Sequence, residues 1–202
     1  MGNERPSSFY DEVYKRGGTG KAFFKHYSES LYYESWNLVI SLLKEDQPKH
    51  VLDIGCGVGQ FAQMAHDLLP SLEGYVGVDF SETALEMAAK NCPQATFLRK
   101  NIVEESLDDL LCDFIVCLEV LEHIEDDLPL LYNLPKNVDI IFSVPNYDSL
   151  GHVRHFSNEK EVLDRYARAI DIVKIFTIRI NDEKVLYVGR GTVKSGASTC
   201  TP

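Results

Sequence analysis

Apolar positions along this chain follow two alternating rhythms. Short, nearly continuous apolar runs read as five strands: "HVLDIG", "GYVGVDF", "ATFLRK", the end of "DDLLCDFIVCL", and "VDIIFSVP". Between them, "GQFAQMAHDLL" and "SETALEMAAKN" place apolar residues at helical spacing. Ser81 stands where the second helix needs an N-cap, because its hydroxyl accepts from a first-turn N–H. Another helix is expected after the fourth strand, broken near Pro129 and Pro135, since proline lacks the N–H a helix interior uses.

The two ends of the chain depart from this alternation. Lys21 to Leu43 is apolar at helical spacing and reads as one or two helices, while residues 1–20 are polar, with "RGGTG" as a flexible joint. Near the other end, "IDIVKIFTIRI", then "ND", then "EKVLYVGR" read as two strands joined by a tight turn. Strand alternating with helix implies right-handed crossovers and a mostly parallel sheet covered on both faces. The appended hairpin makes one strand antiparallel. The expected layout is an N-terminal helical lid over residues 1–45, an α/β core over 46–192, and a disordered tail over 193–202.

Composition narrows the functional classes. A chain of 202 residues with 45% apolar content favours a single domain with a sizeable core. No apolar run reaches the roughly 18 residues that a membrane span needs, and "MGNERPSSFYDEV" lacks a signal-peptide core. The five cysteines (Cys56, Cys92, Cys112, Cys117 and Cys200) suit neither a disulfide framework nor a zinc site. A reducing, cytoplasmic setting follows as the expectation. The net charge of −11 argues against long nucleic acid as partner, because phosphate contacts need a basic surface. A small-molecule acceptor and a monomer or homodimer are expected instead.

Candidate chemistry begins at "VLDIGCGVGQF", where a strand turns into a helix. Gly55, Gly57 and Gly59 let backbone approach a ligand closely at a helix N-terminus. Asp53 precedes the loop, and Asp79 ends the next strand, where a carboxylate can accept both hydroxyl hydrogens of a ribose. Two cofactor types compete. A nicotinamide dinucleotide places a pyrophosphate at the loop, which an adjacent acid repels. A ligand with a cationic amino-acid head suits that acid better.

"VLDIGCGVGQ" followed by "VGVDFSETALEMA" resembles the first two motifs of class I S-adenosylmethionine-dependent methyltransferases. The resemblance covers roughly residues 30–190 and implies a Rossmann-like, seven-stranded sheet in the order 3-2-1-4-5-7-6. It also implies that the loop residues Asp53, Gly55, Cys56, Gly57 and Gln60 hold the methionine portion of the cofactor. Asp79 would bind the ribose and Phe80 flank the adenine. Asn101 and Ile102 stand where the family usually has Asp followed by an apolar residue, and an Asn can still bond the adenine amino group. The backbone near Leu118 is expected to meet the cofactor's amino group.

The stretch "CLEVLEHIEDD" carries the acceptor chemistry. On a helix, Glu119, Glu122 and His123, at i, i+3 and i+4, share one face. His123 is a candidate base, since imidazole titrates near neutral pH. His152 and His155 follow the fifth strand and are candidates to join it. Glu119, Glu122, His123 and His152 form a mixed N/O set suited to a divalent cation such as Mg, which lowers the pKa of a bound hydroxyl. Ubiquinone-pathway O-methyltransferases and small-RNA 2'-O-methyltransferases carry a similar E-x-x-E-H run, which implies a metal.

The alternatives are capping or packing roles for these residues, an amine acceptor, or a cofactor-binding protein without catalysis. Glu125, Asp126 and Asp127 read as a solvated helix face, and Arg154 as a surface residue or an anchor for an acidic substrate. Among the N-terminal aromatics, Tyr27 or Tyr32 is expected to touch cofactor or acceptor, with Gly17, Gly18 and Gly20 as a hinge.

Overall fold

The computed structural model describes residues 3–107 and 109–195. Seven strands form one sheet: β1 (His50–Ile54), β2 (Gly74–Asp79), β3 (Thr96–Arg99), β4 (Phe114–Leu118), β5 (Asp139–Pro145), β6 (Ile170–Arg179) and β7 (Val185–Val193). Their order is β3-β2-β1-β4-β5-β7-β6, as the resemblance implied. The first five run parallel, and β7 is antiparallel to both β5 and β6. Ile54 pairs with Val78 on one side and Cys117 on the other, and Leu118 pairs with Ser143. That register brings the carboxyl ends of β1, β2, β4 and β5 to one rim, where a parallel sheet leaves room for a ligand.

Period-two alternation fills both faces. Leu52, Ile54, Ile115, Cys117, Ile140 and Phe142 point into one apolar layer, and Val51, Phe114, Val116 and Ile141 into the other. The first layer is closed by α5 (Asp127–Tyr132) and α6 (Glu159–Tyr166), which contribute Leu130, Leu131, Val162 and Tyr166. The second is closed by α2 (Tyr33–Asp46) and α3 (Gln60–Leu68), through Trp36, Val39, Leu43, Phe61 and Met64. Each such side chain, fully buried, contributes about 1.5–3 kcal/mol. Helix α4 (Glu82–Asn91) is capped as expected, with Ser81 accepting from the N–H of Ala84. No helix among the described residues is long and apolar enough to cross a membrane.

The N-terminal region differs from the expectation in two ways. A helix, α1 (Ser7–Lys15), forms inside the segment read as polar. Its Phe9, Tyr10, Val13 and Tyr14 lie on one face, half-buried, so the apolar pattern is weak. Conversely, Lys21 to Leu43 becomes α-helical only at Tyr33. Gly18, Gly20 and Lys21 take positive φ, and short 3-10 turns at Thr19–Phe24 and Tyr27–Glu29 replace the first helix. Since α2 belongs to the core, only residues upstream of it cover the cleft.

Three further boundaries move. The β6–β7 connection is not a two-residue turn. It spans residues 180–184, with the Asn181 side-chain oxygen accepting from the N–H groups of Glu183 and Lys184. Val193 and Lys194, expected in a tail, are tied to the sheet region through Val138 and Ala169; residues 196–202 lie outside the described residues. After β4 no helix starts at once. Glu119 sits at φ +57, Leu121–His123 form a single 3-10 turn, and α5 begins only at Asp127.

Asp127 is fully buried rather than solvated. It accepts from Arg165 Nε at 2.9 Å and Tyr166 Oη at 2.9 Å, and pairs with Arg154 Nη1 at 3.0 Å. Arg154 also donates to the carbonyls of Leu121, Ile124 and Glu125. It is therefore neither a free surface residue nor a substrate anchor, but a clamp on the turn that carries Glu122 and His123. Asp127→Ala strands two partly buried guanidinium groups. Urea denaturation is expected to show a loss of about 3–5 kcal/mol, and a loss below about 1 kcal/mol would mean that the network does not hold this turn.

Candidate functional site

The glycine loop closes over the rim because its backbone does what other residues cannot. Gly55 has φ +71, and a Cβ there would lie 2.4 Å from Val120 Cγ2. The N–H groups of Gly55 and Cys56 both donate to the carbonyl of Val78, and the N–H of Gly57 donates to Asp79 Oδ2 at 3.0 Å. Asp79 Oδ1 accepts from the N–H of Ser81 at 2.9 Å. Burial pushes the Asp79 carboxyl up to about 6, against the lowering effect of these backbone donors.

Gly55, Asp79, Phe80, Asn101 and Ile102 line one cleft, joined by Glu119, Val120 and His123 from the far side. The side chains of Asp53, Cys56, Gln60 and Leu118 are not among those that line it. Asp53 lies buried beneath the loop, accepts from Tyr75 Oη at 2.6 Å, and is pushed by burial up to about 7. Its carboxyl is turned from the cleft, so it is no strong objection to a pyrophosphate there. The Cys56 thiol is buried against Gly77. Gln60 donates from Nε2 to the carbonyls of Ala22 and Lys25, at 3.1 and 2.7 Å, and so latches the N-terminal segment to α3. The side chain of Leu118 packs at the edge of an apolar layer.

The aromatic cover also differs from the expectation. Tyr10 and Tyr14 on α1 line the cleft. Tyr27 instead donates to Asp67 Oδ2 at 3.0 Å, on the α3 side. Tyr32 faces the phenol of Tyr147 near Glu119 and Glu122. Tyr10 and Tyr14 both lie within the lid expected over residues 1–45, as an i, i+4 tyrosine pair beside Phe9 and Val13.

The acids and histidines converge without a helix. Ser143 joins Glu119 from β5: its hydroxyl donates to Glu119 Oε1 at 2.9 Å and accepts from the Glu119 N–H at 3.0 Å. Burial pushes the Glu119 carboxyl up to about 8. Glu122 is completely buried, and neither of its carboxylate oxygens has a hydrogen-bond partner. Burial first, and then the charge of Glu119, push its carboxyl well above the usual carboxylate range. The backbone N–H of Val153 donates to the Glu122 carbonyl at 2.8 Å, which docks the loop after β5 onto this turn.

His123 Nδ1 lies 3.0 Å from the carbonyl of Gly151, and His152 Nδ1 lies 3.1 Å from that of Tyr147. A carbonyl oxygen only accepts, so both Nδ1 atoms carry hydrogen and both Nε2 atoms carry the lone pair. His123 Nε2 is 3.8 Å from Glu122 Oε1. Glu122, His123 and His152 each offer a ligand atom, all within 4.8 Å of one another. Burial lowers the His123 imidazole to about 4, so it is neutral at neutral pH. Glu119 stands beside this triplet rather than within it, and His155 is exposed and outside it.

A family model described as a methyltransferase domain matches residues 27–179. The chain belongs to this methyltransferase family. Small RNA 2'-O-methyltransferase from Arabidopsis thaliana is 33% identical over 128 residues, covering 52% of this chain and 13% of that protein. Ubiquinone biosynthesis O-methyltransferase from Rickettsia bellii (strain OSU 85-389) is 31% identical over 105 residues, covering 46% of this chain and 41% of that protein. The matched segments are thus less than half of either relative. The fold is shared with magnesium protoporphyrin IX methyltransferase from Synechocystis PCC 6803, solved with bound SAH. That match has a TM-score of 0.65 and 18% identity, and covers 94% of this chain and 95% of that one. The fold and family are those of class I methyltransferases, whose cofactor is S-adenosylmethionine.

Asp79 has two lone pairs left after Gly57 and Ser81 take theirs, enough for two ribose hydroxyls. Hydroxyl donors bind the ionised carboxylate, which exists above a pH of about 6. Affinity for S-adenosylhomocysteine is therefore expected to be full at higher pH and to be lost as pH falls through that value. Asp79→Asn is expected to weaken binding roughly tenfold or more and to flatten this dependence. Calorimetry across that range checks both, and a wild-type affinity that ignores pH would take Asp79 out of the ribose site.

Proposed function

We propose that this methyltransferase moves the S-adenosylmethionine methyl group to a hydroxyl of a small-molecule acceptor, with a divalent cation such as Mg held by Glu122, His123 and His152. The observation that carries this reading is the buried Glu122 carboxylate, both oxygens unpartnered, with His123 Nε2 at 3.8 Å and ligand atoms of Glu122, His123 and His152 all within 4.8 Å of one another. An ionised carboxylate in that position is costly unless a cation neutralises it. The carboxylate and two imidazoles form a mixed N/O donor set suited to such an ion. The cation would supply Lewis acidity that lowers the pKa of the acceptor hydroxyl.

The chain's own residues do the remaining work. Asp79 holds the ribose of the cofactor and the glycine loop its methionine portion. Tyr10 and Tyr14 close the cleft against water, which strengthens the electrostatics inside. Tyr32 and Tyr147 stand where an acceptor enters beside Glu119. Holding the acceptor in line with the sulfonium is the main demand of an in-line displacement. The net charge of −11 supports a small acceptor over RNA, and the thiols, unpaired among the described residues, fit a reducing, cytoplasmic setting.

One observation favours a second reading. His123 is half-buried beside the cleft with an Nε2 lone pair free to take a proton, the geometry of a metal-free general base, although its lowered pKa weakens it as one. Chelator separates the two. Under the cation reading, EDTA abolishes transfer of labelled methyl to a vicinal-diol acceptor, and added Mg or Mn restores it. Glu122→Ala then lowers turnover on the order of 100-fold, with S-adenosylhomocysteine affinity nearly unchanged. Full activity in EDTA removes the cation; if turnover then still collapses in His123→Ala, the base reading stands.

A further inference from the structure

The cofactor cleft and the Glu122–His123–His152 cluster meet at His123, and Tyr10 from α1 touches that residue within the cleft. Tyr10 lines the cleft, with its ring centroid 5.3 Å from that of Phe80. Its hydroxyl lies 3.1 Å from Nδ1 of His123, the nitrogen that also faces the Gly151 carbonyl. That nitrogen carries hydrogen, so the Tyr10 oxygen is its second acceptor.

The geometry of the loop is fitted to this contact. Gly151 has φ +90, and a Cβ there would lie 3.1 Å from Tyr10 Oη and 3.3 Å from His123 Nδ1. A side chain at this position would push the three groups apart. Helix α1 reaches this place without burying a single residue completely. It is seated by polar contacts: Asp11 accepts from Ser81 Oγ at 2.5 Å and from the N–H of Thr83 at 3.3 Å, at the start of α4. Because its Tyr10 and Tyr14 rings line the cleft, packed on Phe80 and Phe23, the seat of α1 responds to whatever fills the space beneath them.

We infer that Tyr10 is a positioning residue that couples occupancy of the cofactor cleft to the orientation of His123. A nucleoside packed under Tyr10 stabilises the seated α1. The seated helix gives the His123 Nδ1–H its second acceptor and fixes the ring with Nε2 toward Glu122. Whatever binds at Nε2 then binds more tightly when the cofactor is present, and by linkage the reverse holds by the same factor. This deepens the proposed acceptor site, and it rests on the cation reading only for the second of the two measurements below.

The first measurement follows the side-chain nitrogens of histidine by long-range 15N–1H NMR, with His123→Gln assigning the His123 signal. In wild-type protein, S-adenosylhomocysteine is expected to shift and sharpen the His123 Nδ1–H resonance. In Tyr10→Phe, which keeps the ring and loses only the oxygen, the ligand binds and the resonance does not respond. Asp11→Ala, which unseats α1 without touching His123, is expected to lose the response as well. The second measurement is calorimetry with Mn. S-adenosylhomocysteine is expected to tighten Mn binding about fivefold or more in wild type and to leave it unchanged in Tyr10→Phe. A His123 resonance that responds equally in wild type and Tyr10→Phe overturns the inference. Failure of Mn to bind either protein sinks the cation reading instead, and the NMR response alone then decides the role of Tyr10.

Discussion

Glu122 has no hydrogen-bond donor for either carboxylate oxygen, although it is completely buried. The neighbouring groups offset its burial only in part, the Arg154 charge acting without a hydrogen bond to either oxygen. His123 and His152 direct their Nδ1–H groups to backbone carbonyls, and Arg154 is committed to Asp127 and three carbonyls of the same turn. Glu119, the nearest acid, makes the position worse through its own charge. An isolated ionised carboxylate in such surroundings costs several kcal/mol. A leucine would serve the core better. Residues that break local packing rules without compensation inside the chain mark places where function sets the sequence.

Keeping that acid in place requires support from distant parts of the chain. Glu119 holds a left-handed backbone conformation that costs roughly 1–2 kcal/mol, and the double contact with Ser143 offsets it from the adjacent strand. Arg154 clamps the same turn from below, and Asp127, Arg165 and Tyr166 anchor Arg154 in turn. The parallel register makes this possible, because β4 and β5 end side by side. Two loops separated by many residues can therefore present one cluster.

What the sequence disclosed was whatever depends on neighbours in the chain. Period-two runs in β1, β4 and β5, the Ser81 cap and the glycine loop each follow from local pattern, and with the family resemblance they led to the sheet order. Local pattern failed where a distant partner decides the outcome. Asp127 sits in an acidic run and looks solvated until Arg165 and Tyr166, from α6, are packed on it. The i, i+3, i+4 spacing of Glu119, Glu122 and His123 suggested a helix face. A turn pinned by Ser143 and Arg154 brings Glu122 and His123 together by another route. Helix α1 was missed because no residue in it is fully buried. Gln60 read as a cofactor ligand because it lies in the loop motif, yet its amide holds the N-terminal segment.

The two buried acids that face ligand chemistry at this rim, Asp79 and Glu122, differ in a way that assigns them different partners. Asp79 already accepts two backbone N–H bonds, so its charge is partly met and its remaining lone pairs suit neutral hydroxyl donors. Glu122 accepts none, and a neutral hydroxyl alone would leave most of its ionisation cost unmet. A full positive charge is the partner that balances it, and two imidazole lone pairs beside it favour a metal ion over an ammonium, which has only donors to offer. Under the proposed function, burial would thus sort one sheet edge into a place for a sugar and a place for a cation.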